Sequence, residues 1–304
     1  MSNSIPWVEK YRPDNFDKII LSDENKNFLN QILKKDIFPN LILYGPPGTG
    51  KTTTIINIIK KYQEINNQKD NSLIMHLNAS DDRGIDIIRN NINSFVNSKN
   101  LFTKGIKFVI LDEVDYMTKN AQIALKSLIQ MNVENVRYCL ICNYISKIDI
   151  SLITELILVR FNELPQDIII QFLKLIIQNE NLSLTIEDIK NIQKFYKSDI
   201  RSMINYIQNN SSNKKIETIT DIMLEKIYNI HINDDFYHFN KKLLDYSNYL
   251  LIDYKILIKN YIYFLLINKK NSMNERNILD FKYIYNNVYN KYNIYYLFYL
   301  LSKK

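Results

Sequence analysis

The chain has 304 residues, of which 46% are hydrophobic and 23% are charged, enough for a sizeable core and more than one domain. Its formal charge of +7 suits a polyanionic partner, but a generally basic surface would give the same value. The sequence holds two cysteines, which excludes a disulfide framework and a four-thiolate zinc site. The apolar segment 261–267 is too short to cross a bilayer, so we expect no membrane partner.

The N-terminal half alternates short apolar runs with polar stretches of helical periodicity. Four runs have the length and composition of buried parallel strands; they cover residues 41–44, 73–77, 108–111 and 138–142. This alternation predicts a doubly wound α/β domain over residues 1–163. Both cysteines, Cys139 and Cys142, fall in the last run. We interpret them as reduced core residues of an intracellular protein rather than as a redox pair.

The pattern changes near Pro165, beyond which only segments of helical periodicity occur, such as 168–178 and 188–196. The polar stretch 208–215 is the best candidate for a linker. The remaining segment, 226–304, is helical and rich in Tyr, Ile and Leu. Its aromatic residues could stack on bases, although we favour packing between helices. At the other end, residues 1–6 have no apolar h-region, so we expect no signal peptide.

Residues 45–52 read Gly-Pro-Pro-Gly-Thr-Gly-Lys-Thr and lie between a predicted strand and a predicted helix, the context that a P-loop requires. The glycines let backbone N–H groups face phosphates, and the helix N-terminus adds a partial positive charge. We expect Lys51 to reach the β- and γ-phosphates and the Thr52 hydroxyl to ligate Mg²⁺. The motif predicts an ATP site formed by Gly45, Pro46, Pro47, Gly48, Thr49, Gly50, Lys51, Thr52 and Thr53.

A second element follows the predicted strand 108–111, where Asp112 and Glu113 come in succession. Ligands bind at the carboxyl ends of parallel strands. We therefore expect Asp112 to hold Mg²⁺, directly or through water, and Glu113 to orient and polarise the attacking water. Asn143, at another strand end, could contact the γ-phosphate, but Asn there usually serves a turn. Arg201 could fold onto the γ-phosphate or pair on the surface.

Six segments, in this order, resemble the replication factor C small subunits, which are AAA+ clamp loaders. They are residues 6–13, 45–54, 77–85, 111–115, 142–148 and 198–201, reading PWVEKYRP, GPPGTGKTTT, LNASDDRGI, LDEVD, CNYISKI and SDIR. The resemblance covers residues 5 to about 207 and leaves the rest of the chain without an assigned motif.

This resemblance implies an AAA+ P-loop domain with a parallel sheet over residues 1–163, a helical lid over 164–225 and an all-α collar over 226–304. The implied activity is that of an ATPase subunit that helps to open a sliding clamp and load it onto primer–template DNA. Its implied partners are related subunits in a pentameric ring, a PCNA-like clamp, and DNA bound without sequence specificity. A nucleus or a viral replication site would both suit such a protein.

The resemblance also implies roles for single residues around the nucleotide. Val8, Tyr11 and Arg12 belong to the segment that lies against the adenine in this family. Asn143 matches the family's sensor-1 position, and Arg201 matches its sensor-2 position.

Two further surfaces follow from the same resemblance. Arg83 and Arg89 match positions that face the DNA backbone, a kind of contact that positions DNA without reading its sequence. An apolar cluster on a helix and loop matches the region that touches the sliding clamp, although core packing is an equal interpretation. The cluster comprises Phe95, Val96, Leu101 and Phe102.

One position departs from the family pattern. The family has a Ser-Arg-Cys triplet near the end of this domain, and its arginine completes a neighbour's ATP site. Here the triplet falls on Thr154, Glu155 and Leu156, and a carboxylate would repel a γ-phosphate. We predict a subunit with an intact site of its own that supplies no arginine finger. Arg160, in a strand-like setting five residues on, is a less favoured substitute.

Two alternative functions stay open. The chain could be a mainly structural ring subunit that binds nucleotide with little turnover, which Glu155 favours and Lys51, Asp112 and Glu113 oppose. It could instead serve a different AAA+ machine, such as a branch-migration motor or a protein remodeller. The segments 7–13 and 79–85 argue against that second alternative.

Overall fold

The computed structural model describes residues 5–80, 88–98, 105–131, 134–211, 219–269, 275–288 and 291–302. The chain divides into two compact units, of which the first comprises Met1–Ile169 with Ser198–Arg201 and the second comprises Ile170–Lys197 with Ser202–Lys304. Among the described residues, no helix has the length and apolar character needed to cross a membrane.

A five-stranded parallel sheet organises the first unit. Its strands lie in the order β2-β3-β4-β1-β5. Their bounds are Leu41–Tyr44 (β1), Ile74–Asn78 (β2), Lys107–Asp112 (β3), Val136–Cys142 (β4) and Ile157–Arg160 (β5). The predicted α/β class with a parallel sheet is confirmed, and all four predicted strands are present. β5 is an additional edge strand, paired with β1 from Leu41 to Tyr44.

Both faces of the sheet are covered, as the continuous apolar runs predict. Side chains of successive strand residues point to opposite faces, so Leu41 and Leu43 join one buried cluster while Ile42 joins the other. Cys139 and Cys142 likewise divide between the two clusters. Both are free and buried, and burial raises the pKa of each thiol. Their interpretation as core residues is confirmed.

The helices of the first unit surround this sheet. They are α1 (Trp7–Lys10), α2 (Asp23–Lys35), α3 (Lys51–Ile65), α4 (Asn93–Asn97), α5 (Lys119–Met131) and α6 (Ile150–Ile153). A π-helical turn, Ile88–Ile92, leads into α4. Shorter 3-10 turns cover Phe16–Lys18, Asn71–Leu73, Val114–Tyr116 and Ile145–Lys147. The last two turns directly follow β3 and β4, and they shape the site described below.

Beyond Pro165 the described residues contain helices and no strand, as predicted. The helices are α7 (Gln166–Asn179), α8 (Ile186–Tyr196), α9 (Ile200–Asn209), α10 (Asp221–Asn233), α11 (Phe236–Tyr249), α12 (Tyr254–Asn268), α13 (Glu275–Asn286) and α14 (Lys291–Ser302). α8 begins with a capping box between Thr185 and Asp188, which satisfies free N–H groups of its first turn. Half of the predicted linker, residues 212–215, lies outside the described residues.

The helices α10 to α14 form one bundle, with His231 fully buried at its centre. The Nδ1 of His231 lies 2.6 Å from the Tyr261 hydroxyl, and its Nε2 lies 2.9 Å from the Phe298 carbonyl oxygen. The rings of Phe239 and Phe298 pack against the imidazole. These aromatic side chains therefore serve packing between helices, as favoured from the sequence. Burial lowers the pKa of His231 to about 4.

Candidate nucleotide-binding site

The loop between β1 and α3 follows a path that side chains would block at two glycines. Gly45 and Gly48 have φ values of +144° and +73°, a region that strongly favours glycine. A Cβ on Gly45 would lie 2.1 Å from the carbonyl oxygen of Phe161, and a Cβ on Gly48 would lie 2.1 Å from Asp199 Oδ1. The loop is therefore closely packed against the end of β5 and against the segment before α9.

Lys51 opens α3 and turns back over this loop. Its side chain is buried, and its Nζ donates to the carbonyl oxygens of Gly45 (2.9 Å) and Pro46 (2.7 Å) and to Asn143 Oδ1 (3.0 Å). Burial lowers the pKa of Lys51, while the charge of Asp112 opposes that shift. The structure thus joins two residues that the sequence analysis placed in separate motifs, one at the start of α3 and one after β4.

A hydroxyl and a carboxylate meet at the first turn of α3. Thr52 Oγ1 donates to Asp112 Oδ2 at 2.7 Å, so the two predicted Mg²⁺ ligands lie side by side. Mg²⁺ is commonly held by one or two carboxylates together with waters and substrate phosphates. The Thr52–Asp112 pair therefore fits a Mg²⁺ that comes with its nucleotide.

Glu113 stands in an unusual backbone conformation at the end of β3. Its φ and ψ are 57° and 37°, in the left-handed region, and a non-glycine residue there costs about 1–3 kcal/mol. Its N–H donates to Asp112 Oδ1 at 2.9 Å. The chain thus leaves the strand abruptly and enters the turn Val114–Tyr116. The role of Glu113 toward the attacking water stays a prediction.

The N-terminal segment is attached to α3. Arg12 Nε donates to Thr53 Oγ1 at 3.2 Å, and Asn57 Nδ2 donates to the Pro13 carbonyl oxygen at 3.0 Å. Val8 and Tyr11 are half-buried in the same segment. Arg12 and Pro13 are therefore held beside the helix that carries Lys51 and Thr52.

The segment Ser198–Arg201 belongs to the first unit. Ser198 Oγ accepts a hydrogen bond from the Leu164 N–H at 3.1 Å, and Asp199 packs against Gly48. Arg201 is exposed. Burial is the main cause of the lowered pKa of Lys51, and the charge of Arg201 lowers it further. The role of Arg201 toward a bound phosphate stays a prediction.

The Asp199 contact with Gly48 was not expected from the sequence. The sequence suggests that Arg201 of the segment SDIR could reach the γ-phosphate, but it gives no role to Asp199. The glycine at position 48 agrees with a site that has no room for a Cβ, but a glycine in the sequence does not identify the residue that packs against it.

Other predicted residues lie away from this cluster or outside the described ranges. Arg83, Leu101 and Phe102 fall outside them, and Arg89 lies within the described turn Ile88–Ile92. Phe95 and Val96 are half-buried and pack against one of the two core clusters. This contact agrees with core packing for these two side chains and leaves a role at a clamp as a prediction.

Glu155, at the predicted finger position, lies in the turn after α6. Its Oε1 accepts a hydrogen bond from Gln130 Nε2 at 2.7 Å, so a side chain of α5 holds the carboxylate. Arg160 is exposed at the end of β5, where its carbonyl oxygen accepts a hydrogen bond from Asn25 Nδ2 at 2.9 Å.

The sheet and the residues of this site lie within a segment that matches a known protein family. Residues 41–163 match the family described as ATPase family associated with various cellular activities (AAA). This range begins at β1 and ends just beyond β5, and it includes Lys51, Asp112, Glu113 and Asn143.

Curated relatives extend the similarity beyond that domain. The chain is 40% identical over 220 residues to replication factor C subunit 5 of Mus musculus, covering 72% of this chain and 64% of the relative. It is 37% identical over 205 residues to replication factor C subunit 3 of Saccharomyces cerevisiae, covering 67% and 59%. It is 38% identical over 203 residues to replication factor C small subunit 2 of Pyrobaculum islandicum, covering 66% and 62%. The chain therefore spans less than two thirds of the length of these relatives.

Solved structures support the fold. The RuvB Holliday junction branch migration motor of Thermotoga maritima matches with a TM-score of 0.55 and 17% identity, covering 84% of this chain and 90% of that chain. At this identity the likeness concerns the fold alone.

Proposed function

Because the chain belongs to the replication factor C small-subunit family of AAA proteins, we propose that it is an ATP-hydrolysing subunit of a clamp loader. ATP binding by such subunits assembles a spiral that opens a sliding clamp and grips primer–template DNA. Hydrolysis then releases the closed clamp on the DNA.

One observation carries this proposal. Lys51 contacts Asn143 at 3.0 Å, and Thr52 contacts Asp112 at 2.7 Å, with Glu113 next in the chain. These contacts bring the P-loop and the ends of β3 and β4 to one edge of the sheet, where ligands bind in such folds.

Each residue of this cluster has a task toward MgATP. Lys51 and the P-loop N–H groups bind the β- and γ-phosphates, and Asn143 and Arg201 contact the γ-phosphate. Thr52 and Asp112 hold Mg²⁺, which neutralises charge on the phosphates when it is bound. Glu113 orients and polarises the attacking water.

The partners belong to the same proposal. Arg83 and Arg89 contact phosphates of primer–template DNA without reading its sequence. A PCNA-like sliding clamp contacts the cluster of Phe95, Val96, Leu101 and Phe102. Related subunits complete a pentameric ring, in which Glu155 supplies no arginine finger to the neighbouring site.

The deciding test is turnover by the ring purified with its natural partners. We expect primer–template DNA and the clamp to stimulate ATP hydrolysis, and Glu113→Gln to reduce the part contributed by this subunit while nucleotide still binds. Asp70→Asn, at a carboxylate remote from the site, is the control. Absence of any stimulation, together with absence of a co-purifying clamp, would reject the clamp-loader function.

Glu155 favours one alternative function, that of a ring subunit that binds nucleotide mainly for assembly. Glu113→Gln also distinguishes this case, because a structural subunit would lose no measurable turnover on that substitution. Binding of a fluorescent ATP analogue to the variant then shows that the site itself is still formed.

A further inference from the structure

Asp115 is a buried carboxylate in the nucleotide-binding unit to which no role has been given above. Asp115 is 6% exposed, and its Oδ2 accepts a hydrogen bond from the Tyr144 N–H at 3.3 Å. Its Oδ1 is the single buried side-chain oxygen or nitrogen that lacks a hydrogen-bond partner within the described part of the chain. Burial of a polar atom without a partner costs free energy, so the position of this side chain requires an explanation.

The hydrogen bond of Asp115 joins two segments of the site. Asp115 lies in the turn Val114–Tyr116 that follows Glu113, and Tyr144 directly follows Asn143. The bond therefore ties the end of β3 to the end of β4, at the residue next to the amide that contacts Lys51.

The charge of Asp115 acts on two neighbouring groups of the site, the lysine of the P-loop and the thiol of Cys142. Burial lowers the pKa of Lys51, and the negative charges of Asp112 and Asp115 both oppose that shift. Burial is likewise the main cause of the raised pKa of Cys142, and the charge of Asp115 raises it further. Asp115 thus lies among groups from β3, β4 and the P-loop.

We propose that Asp115 is a positioning residue for ATP hydrolysis, because it fixes the backbone at Tyr144 and thereby holds the Asn143 amide in place against Lys51. The inference rests on the proposed ATPase function. Asp115 itself touches neither phosphate nor metal in this arrangement. Its effect reaches the nucleotide through Asn143.

If Asp115 served only to stabilise the fold, its removal would lower the free energy of unfolding substantially. The Asp115 carboxylate has one long hydrogen bond and one unpartnered oxygen, so its removal should cost little stability. A buried group that costs stability in the folded state is typical of a functional site.

The test compares Asp115→Ala with Asp115→Asn in the full chain, assembled with its partner subunits. The asparagine retains an acceptor oxygen for the Tyr144 N–H, whereas alanine has none. Asp70→Ala is the matched control, because Asp70 Oδ1 accepts a backbone hydrogen bond from Ser72 at 2.8 Å, away from the site.

We expect Asp115→Ala to lower kcat by about 10- to 100-fold, the scale of a small misplacement of a catalytic group, with a smaller change in KM for ATP. Its thermal midpoint should stay within about 2 °C of the wild type. Hydrogen exchange of the backbone at 143–146 should become faster. Asp115→Asn should restore most of kcat and most of the protection from exchange, and Asp70→Ala should match the wild type.

Two results would overturn the proposal: an Asp115→Ala variant with wild-type kcat and exchange, or one whose kcat, nucleotide affinity and thermal midpoint all fall together without rescue by asparagine. Hydrogen exchange separates this inference from the proposed function. A wild-type ring without ATPase activity would reject the function, while faster exchange at 143–146 in Asp115→Ala would still support the positioning role.

Discussion

At the scale of single residues, the site depends on contacts between side chains far apart in the chain. Lys51 and Asn143 are 92 positions apart, and Thr52 and Asp112 are 60 positions apart, yet each pair is hydrogen-bonded. The strained backbone of Glu113 and the two closely packed glycines show that the backbone is as constrained here as the side chains. This constraint is what pre-organises groups for a phosphate.

Substitutions of the two glycines test this packing. Gly45→Ala should destabilise the protein by about 2–4 kcal/mol, because its Cβ would meet the Phe161 backbone carbonyl, which cannot move aside. Gly48→Ala should cost less, about 1–3 kcal/mol, because its Cβ would meet the Asp199 side chain. Urea unfolding measures both.

The double variants provide the control. Asp199→Ala should recover part of the stability lost in Gly48→Ala, since it removes the clashing atoms, and none of that lost in Gly45→Ala. Equal recovery in both backgrounds would contradict the contact assigned to Asp199.

At the scale of elements, the strand–loop–helix unit of β1 and α3 places Lys51 and Thr52, and the turns after β3 and β4 bring the remaining groups to them. In the second unit, the bundle α10 to α14 is held around His231, which connects α10 to α12 through Tyr261 and to α14 through Phe298. A neutral imidazole serves both bonds, with Nδ1 accepting from the tyrosine hydroxyl and Nε2 donating to the carbonyl.

The stability of this bundle should depend on pH through His231. Burial lowers its pKa to about 4 from 6.5, so between these values the unfolded chain binds a proton that the folded chain does not. The free energy of unfolding should therefore fall as pH decreases from 6.5 to 4, by about 3 kcal/mol in total. Urea unfolding at a series of pH values measures this slope.

His231→Gln should be less stable at pH 7 and should show a weaker dependence on pH over the same window. His76→Gln, at an exposed histidine of β2, should keep the wild-type slope. An unchanged slope in His231→Gln would mean that another group accounts for the dependence.

At the scale of the whole molecule, the proposed function places the chain in a ring of related subunits, and position 155 then departs from the arginine that the family resemblance implies. Glu155 is held by Gln130 where an arginine finger is expected. An arginine finger contributes about 10³–10⁵ in rate, so its loss would leave the neighbouring site slow or dependent on another group.

Glu155→Arg in the reconstituted ring tests this departure. We expect ATP turnover to rise at least several-fold, because the new guanidinium can stabilise charge on the neighbour's γ-phosphate. Glu155→Gln removes the negative charge without adding a positive one and should have a smaller effect. Unchanged turnover in Glu155→Arg would show that position 155 does not face a neighbour's nucleotide.

The sequence by itself determined the fold class and four strands, and it predicted the nucleotide-binding residues. Local patterns carry these features: apolar runs of strand length, and a P-loop that needs glycine and lysine at fixed spacing. The edge strand β5 was less clear, because it has four residues and Ile157 and Leu158 are exposed. The sequence pattern of such a short, partly exposed run cannot be distinguished from that of a loop, and only its pairing with β1 identifies it as a strand.

Only the tertiary structure decided which of these residues touch. Whether Asn143 serves a turn or the phosphate site depends on Lys51, and the contact of Asp199 with Gly48 depends on the return of the chain to the first unit. The role inferred for Asp115 depends on a backbone N–H that follows a different strand. Such contacts follow from strand order and from the turns at strand ends, because only these bring distant segments within hydrogen-bonding distance.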